Sequence, residues 1–427
     1  MTFKTLDEAL EVLFSSFVAR ARLTQHAFDR DHRRPDILIR IASQIGVLPP
    51  ASHTCLVSGS KGKGTTSRLI AWNLQSAGKK VGLLLTPEEC EHRDRIRINN
   101  TPIPAQDFIR IFADLQPLLE KALEQAPSTY YFPPTGLFLL IGLIWFHECG
   151  VNAWVIEGGR GVRHDEIGGL RARVGVLTNI LSEHLARLGP TIEEIAAEKA
   201  AMADCVETLV LPVNALKIIK KNAVAHPEYL SPLGKTNSSE HQNFPSWYGD
   251  LSTLAEAATS VFLPNIAWHH YPVPAYQFLC GHRHGENKRV THGTICCDGV
   301  IHPDSLDPVF LRRLGLDAGA AIIGLSDDKS AQAVAEKLID MGFKPCYGIE
   351  LTSPVRHITT HWLKECKAIS VLGKLDVVAG GTPVLAETLQ KISQKHGSVY
   401  AVGTQVFMRS LRQAFGISTV LEPSQEI

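Results

Sequence analysis

Val57-Ser58-Gly59-Ser60-Lys61-Gly62-Lys63-Gly64-Thr65-Thr66 is the stretch on which the reading of this chain turns. An apolar run, Thr54 to Val57, precedes it, and an amphipathic run, Ser67 to Ala77, follows. Strand, glycine loop and helix in that order cradle nucleotide phosphates. Glycines let backbone N–H groups face the phosphate oxygens, and the helix N-terminus adds partial positive charge. In such a loop Lys63 reaches the terminal phosphates, and Thr65 or Thr66 holds Mg2+. The spacing is unusual. Only Ser60 and Lys61 separate Gly59 from Gly62-Lys63, and Gly64 intervenes before the threonines. The common phosphate loop has four intervening residues, so this is not the loop of an ordinary kinase or GTPase.

The rest of the composition bounds the setting. A length of 427 residues suggests two or three domains, and 44% hydrophobic with 20% charged residues describes a soluble globular protein. Lys+Arg and Asp+Glu both number 43, a balance that recommends neither nucleic acid nor an anionic membrane as partner. Met1 to Glu8 has no signal-peptide core. The longest apolar run, Leu137 to Phe146, is about half of a bilayer span. The nine cysteines form no C-x-x-C pair, although Cys296 and Cys297 are adjacent; they read as small buried hydrophobes in a reducing cytoplasm.

From Thr54 to Ala201 strand-like and helix-like runs alternate. Strands are expected at Val81 to Leu85, Val151 to Ile156 and Val174 to Thr178. Helices are expected at Ala105 to Glu120, Gly136 to Glu148 and Thr191 to Met202. Such alternation implies an α/β fold with a doubly wound, mostly parallel sheet. Ser231 to Ser246 reads as a surface loop, and Pro272 to Arg289 as a domain boundary. Beyond it, Gly293 to Asp298, Ala320 to Gly324, Ala331 to Met341, Ala368 to Leu372, Val384 to His396, Val399 to Val402 and Gln405 to Phe415 alternate again. The expected organisation is a phosphate-loop ATPase domain over residues 1–284 and a smaller, Rossmann-like α/β domain over 285–427.

Glu157 ends the apolar run Val151 to Ile156, and ligands of open α/β sheets gather at the carboxyl ends of strands. It therefore sits where an acidic residue backs Mg2+ in phosphate-loop proteins. Gly158-Gly159-Arg160-Gly161-Val162-Arg163-His164-Asp165 follows. Next come Thr178-Asn179-Ile180, Ser182-Glu183-His184, and a helix opened by the capping box Thr191/Glu194 that carries Lys199. Taken singly, His184 reads as structural and Lys199 as a solvated charge.

Their joint order resembles the Mur ligase superfamily, in particular its folylpolyglutamate synthase/dihydrofolate synthase branch. That branch carries G-T-N-G-K-G-S where Gly59 to Thr65 stands, E-R-I-R-I-N-G where Asp94 to Asn100 stands, and E-V-G-L-G-G-R-x-D where Glu157 to Asp165 stands. It carries T-N-I-x-x-D-H-x-x-x-L-G-x-T-x-E-x-I-A-x-E-K where Thr178 to Lys199 stands. Ser326 to Lys329, Ser353 to Arg356 and Val402 to Gln405 resemble its C-terminal segments. The resemblance implies an ATP-dependent carboxylate–amine ligase, working through an acyl phosphate and releasing ADP and phosphate. It implies that Gly59, Ser60, Lys61, Gly62, Lys63, Gly64, Thr65 and Thr66 bind ATP, joined by Arg283 and Asp298 from the C-terminal domain. Thr65 and Thr86 would serve a first Mg2+, and Glu157 and His184 a second. Lys63, His184 and Lys199 would be catalytic, Lys199 as a carbamate. A monomer is implied, with a small carboxylate and an amine such as an amino acid as substrates.

Departures from the pattern bear on the substrate. Asp298-Gly299-Val300-Ile301-His302-Pro303 replaces D-G-A-H-N-P, and Cys280-Gly281-His282-Arg283 replaces P-G-R. Pro133-Pro134-Thr135-Gly136 replaces T-F-F-E and loses its glutamate, and Thr86-Pro87-Glu88-Glu89 replaces S-P-H-L. With the phosphate core kept, these point to a non-folate carboxylate in specialised metabolism. A true folate enzyme and a catalytically impaired ATP-binding regulator are the alternatives. Glu88, Glu89 and Glu91 fit either a cationic substrate or a solvated acidic loop.

Overall fold

In the computed structural model of the chain the described residues are 3–20, 27–232, 246–264, 294–300, 302–313, 316, 318–325, 331–352, 369–376 and 382–416. Eight strands come first in the chain: β1 Thr54–Ser58, β2 Val81–Leu84, β3 Ile96–Ile98, β4 Thr101–Pro102, β5 Ala153–Glu157, β6 Ala172–Leu177, β7 Val206–Val210 and β8 Glu228–Leu230. They form one sheet in the order β4-β3-β2-β5-β1-β6-β7-β8. β1 lies inside it, parallel to β5 (Val57 opposite Glu157) and to β6 (Ser58 opposite Leu177).

Both faces of this sheet are covered, so β1 and β5 are buried throughout, as strands of a parallel sheet must be. Side chains alternate between the faces. Cys55 and Val57 join Leu69, Ile70, Leu74 and Tyr248, packing under the helices Lys63–Ser76 and Ser246–Phe262. Leu56 joins Phe108, Phe112, Phe138 and Phe146 on the other face, from the helices Ala105–Gln125 and Pro134–Glu148.

The expected elements are present with shifted ends. The helix expected to stop at Glu120 runs to Gln125, with Pro117 inside it. The helix expected from Thr191 to Met202 runs Ile192–Ala200, capped by Thr191 Oγ1, which accepts from Glu194 N at 3.2 Å. An unexpected hairpin, β3–β4, runs antiparallel at the sheet edge. Its two-residue turn, Asn99-Asn100, has φ of 46° and 66°. Those are left-handed values that Asn tolerates and that suit a tight hairpin.

The second sheet contains β9 Thr294–Asp298, β10 Gly319–Gly324, β11 Phe343–Thr352, β12 Ile369–Asp376 and β13 Ser398–Gly403, all parallel, in the order β12-β11-β10-β13-β9. Ala331–Asp340 packs over one of its faces, Thr382–His396 and Gln405–Phe415 over the other. The mostly parallel α/β fold in two sheets is as the alternation implied. The boundary expected between residues 284 and 285 falls outside the described residues. So do most of the loop expected from Ser231 to Ser246 and the segments 326–329 and 353–356. No helix among the described residues is long and apolar enough to cross a membrane. Cys55, Cys205, Cys296, Cys297 and Cys346 are buried.

Candidate active site

β1 delivers the chain to the loop at Ser58. Gly59 has φ of +133°, and a Cβ there would lie 2.1 Å from Thr178 Oγ1. Gly62 has φ of +80° and caps the helix Lys63–Ser76; a Cβ there would lie 2.5 Å from Leu251 Cδ1. Both positions therefore demand glycine, for conformation and for space. Asn179, just past β6, braces the loop. Its Oδ1 accepts from Ser60 N at 3.2 Å and Lys61 N at 2.9 Å, and its Nδ2 donates to Lys61 O at 3.2 Å. Ser60 Oγ accepts from Leu181 N at 3.0 Å. Ser60 and Lys61 thus shape the loop, whereas the first-turn N–H groups of Lys63, Gly64 and Thr65 have no partner within their helix.

Lys63 folds back on this loop, its Nζ donating to Gly59 O at 3.1 Å and Ser60 O at 3.4 Å. Its charge acts on two buried groups at once. Glu157, at the end of β5, is pushed by burial up to about 7, against the pull of Lys63 and of the Thr86 N–H. Lys199 is brought by burial, and next by Lys63, down to about 7. The fold therefore gathers Lys63, Glu157 and Lys199, which are far apart in sequence. Gly64 belongs to the same corner, since a Cβ on it would lie 3.6 Å from Glu157 Oε2.

Thr86 N donates to Glu157 Oε2 at 2.8 Å, and Thr86 Oγ1 donates to Gly158 O at 2.9 Å. Thr65 is half-buried. Thr66 is fully buried, and its Oγ1 has no hydrogen-bond partner. His184 takes a left-handed φ of 53° at the head of the short helix Leu185–Leu188. Lys199 Nζ donates to Arg160 O at 2.8 Å. The neighbouring Glu198 braces the same turn, accepting from Val162 N at 3.3 Å and His164 N at 2.8 Å and meeting His164 Nδ1 at 2.7 Å. From the second sheet, Asp298 at the end of β9 accepts from the Tyr400 hydroxyl at 3.0 Å. Burial pushes Asp298 up to about 6, opposed by Tyr400, Gly299 N–H and Lys61. Lys61 Nζ donates to Ser305 Oγ at 2.5 Å and so spans the two sheets. Arg283 lies outside the described residues.

These donors fit a nucleotide with Mg2+. A glycine cradle opens onto a helix N-terminus, and an unpaired buried hydroxyl and a desolvated carboxylate stand beside it. Mg2+ takes oxygen ligands, one or two carboxylates with phosphates and water, and needs no protein cage. Accordingly, no group of three or more His, Cys, Asp or Glu gathers on one metal position among the described residues.

Two arrangements escaped the sequence reading. Glu88 and Glu89 are neither a solvated loop nor free for a cationic substrate. Arg95 Nε donates to Glu88 Oε2 at 2.8 Å, and Arg68 Nη2 lies 2.5 Å from Glu89 Oε2. Burial works against the charge on each. Even so, Arg95, His92 and Arg409 hold Glu88 well below the carboxylate range, and Arg68, Arg412 and Arg97 hold Glu89 below it. Glu91 is the exposed one, 2.6 Å from Arg93. The second is a buried charge cluster behind the Gly158–Asp165 turn. Arg160 pairs with Asp29 through two bonds of 2.8 and 3.2 Å, and Arg33 pairs with Glu166 at 2.8 Å. Only the turn's two arginines hinted at it.

Solved structures share this architecture. An Escherichia coli FolC in complex with DHPP and ADP superposes with a TM-score of 0.72 at 18% identity, covering 97% of this chain and 98% of its own. The chain has the fold of the folylpolyglutamate and dihydrofolate synthases. A bifunctional folylpolyglutamate synthase/dihydrofolate synthase from Yersinia pestis, complexed with AMPPNP and a Mn ion, gives 0.67 at 17% identity, over 89% of this chain and 93% of that one. In sequence the chain is similar to a probable bifunctional folylpolyglutamate synthase/dihydropteroate synthase of Haloferax volcanii. That match is 33% identical over 225 residues, 52% of this chain and 26% of the relative. The first three curated relatives are matched over 26%, 36% and 40% of their own lengths. No family model matches. The expected resemblance to this branch of the Mur ligases is borne out in sequence and in fold.

Proposed function

We propose that this chain is an ATP-dependent carboxylate–amine ligase that forms an amide through an acyl phosphate and takes a folate as its carboxylate substrate. One observation carries the ligase reading: Lys63 acts electrostatically on both Glu157 and Lys199 at the mouth of a glycine cradle. The names of its relatives favour the folate alternative over the non-folate substrate that the altered motifs suggested.

The residues divide the work. The N–H groups at the start of the helix Lys63–Ser76 bind phosphate, and Lys63 leaves the Gly59 carbonyl for the terminal phosphates. Thr65 or Thr66, Thr86, Glu157 and His184 would hold the metal ions, in two sites. Magnesium, when bound, neutralises phosphate charge during phosphoryl transfer. Lys199 near neutrality offers an uncharged amine. Its nitrogen can add to the carbon of CO2, releasing one proton and leaving a carbamate anion, which would supply oxygen ligands for a metal ion. Arg283 and Asp298 serve the nucleotide, Asp298 from the end of β9. Little covalent chemistry falls to the chain itself, so positioning and charge dominate.

The test is ADP release from ATP with dihydropteroate and glutamate, with a reduced folate and glutamate, and with pools of other acids and amines. Folate-dependent release, and rescue of a strain lacking folate synthase, are expected. Release only with another acid overturns the folate assignment. ATP binding with no release from any pair overturns the ligase reading and favours the regulator.

A further inference from the structure

The run Thr86 to Cys90 joins three parts of the molecule. Glu88 Oε1 accepts from Arg409 Nη1, and Arg409 lies on the helix Gln405–Phe415 of the second sheet. One turn on, Arg412 Nη1 donates to Glu89 O at 3.1 Å, and Gln413 Nε2 donates to Cys90 O at 2.7 Å. Residues 409, 412 and 413 have the spacing of one helix face, so a single face grips three successive residues. The Glu89 carboxylate turns the other way, to Arg68 on the phosphate-loop helix at 2.5 Å and Arg97 at 3.9 Å. Two residues before Glu88, Thr86 N holds Glu157 Oε2 at 2.8 Å.

Two adjacent buried carboxylates thus face Arg68, Arg95, Arg97, Arg409 and Arg412 from both halves of the chain. Removing one partner of a buried ion pair leaves the other charge uncompensated, at a cost well above that of a surface pair. Arg95 and Arg68 hold the run from its own half of the chain, and the helix Gln405–Phe415, when seated, adds the bonds of Arg409, Arg412 and Gln413.

We propose that Glu88 and Arg409 are positioning residues, which tighten the hold of Thr86 on Glu157 so that this carboxylate is fully aligned for the nucleotide's metal when the second sheet's domain is docked. The proposal rests on the ligase reading for its consequence in turnover, but not for its test in binding.

The experiment compares the full-length wild type with Arg409→Ala, Arg409→Lys and Glu88→Gln. Mn2+ binding in the presence of AMPPNP is followed by electron paramagnetic resonance, AMPPNP affinity without metal by calorimetry, and ADP release by coupled assay. In Arg409→Ala, Mn2+ affinity is expected to fall at least fivefold and kcat at least tenfold, with metal-free nucleotide affinity within twofold of wild type. Arg409→Lys restores most of both, and Glu88→Gln behaves like Arg409→Ala. Unchanged Mn2+ affinity in Arg409→Ala and Glu88→Gln overturns the positioning role, whether or not the wild type turns over. Absence of ADP release from the wild type, with the Mn2+ loss present, overturns the ligase reading and leaves the positioning role supported. If Arg409→Ala does not fold, Arg409→Lys and Glu88→Gln decide by the same criterion.

Discussion

Glu166 stands where a side chain on Gly136 would begin: a Cβ on Gly136 would lie 2.8 Å from Glu166 Cδ and 3.0 Å from its Oε1. Glu166, held by Arg33 at 2.8 Å, thus occupies the space into which a side chain at Gly136 would grow. Gly136→Glu is expected to destabilise the protein by about 1–3 kcal/mol through overpacking against Leu38 and Glu166. The double variant Gly136→Glu/Glu166→Gly recovers part of that. Thermal denaturation of the two measures it; equal losses would show that the carboxylates do not share this space.

Lys199→Ala is expected to abolish turnover, and short carboxylic acids partly rescue it by standing in for the carbamate. Burial brings Lys199 down to about 7, so its neutral, CO2-reactive form falls away below that pH. Wild-type activity should therefore drop as pH falls below about 7 and recover in part with added bicarbonate. The sign for stability is opposite to that of an ordinary lysine. Between about 7 and its ordinary value the unfolded chain binds the proton that the folded one lacks, so this residue makes stability rise with pH. Full activity in Lys199→Ala would remove the carbamate from the scheme.

Glu157 makes the reverse contribution. With its folded value raised to about 7, the native protein holds a proton that the unfolded chain releases above about pH 4.5. Its share of stability falls as pH rises from about 4.5 to 7, by on the order of 3 kcal/mol. Glu157→Gln is expected to flatten that slope relative to wild type in denaturant titrations at pH 5 and 7.5. It should also abolish the Mg2+ dependence of nucleotide binding. Metal binding to the wild type should tighten across the same pH range, because the metal displaces the proton.

Lys63→Ala is expected to weaken ATP binding at least a hundredfold while leaving the fold intact. Among the described residues the Nζ bonds to the carbonyls of Gly59 and Ser60 within its own loop. Calorimetry reads the affinity, and unchanged affinity would overturn the loop assignment.

Local chemistry made part of this site legible. Gly59 and Gly62 announce positive φ and close approach, and the alternation around them announces a parallel sheet, because sterics and periodicity act within a few residues. Glu157 at a strand end and the run from Thr178 to Lys199 follow from the same local order. The Asn99-Asn100 hairpin was there to be read and was missed. The states of the ionisable groups were not legible. Glu88 and Glu89 read as solvated or substrate-facing, and the fold buries them among arginines from both halves of the chain. Lys199 read singly as a solvated charge, and burial, with Lys63 nearby, brings its pKa down to about 7. Sequence alone determined the phosphate cradle and the α/β order. Tertiary structure decided which charges are buried and what faces them, because desolvation and Coulomb interaction depend on distance in space, and here the partners stand up to 323 positions apart in the chain.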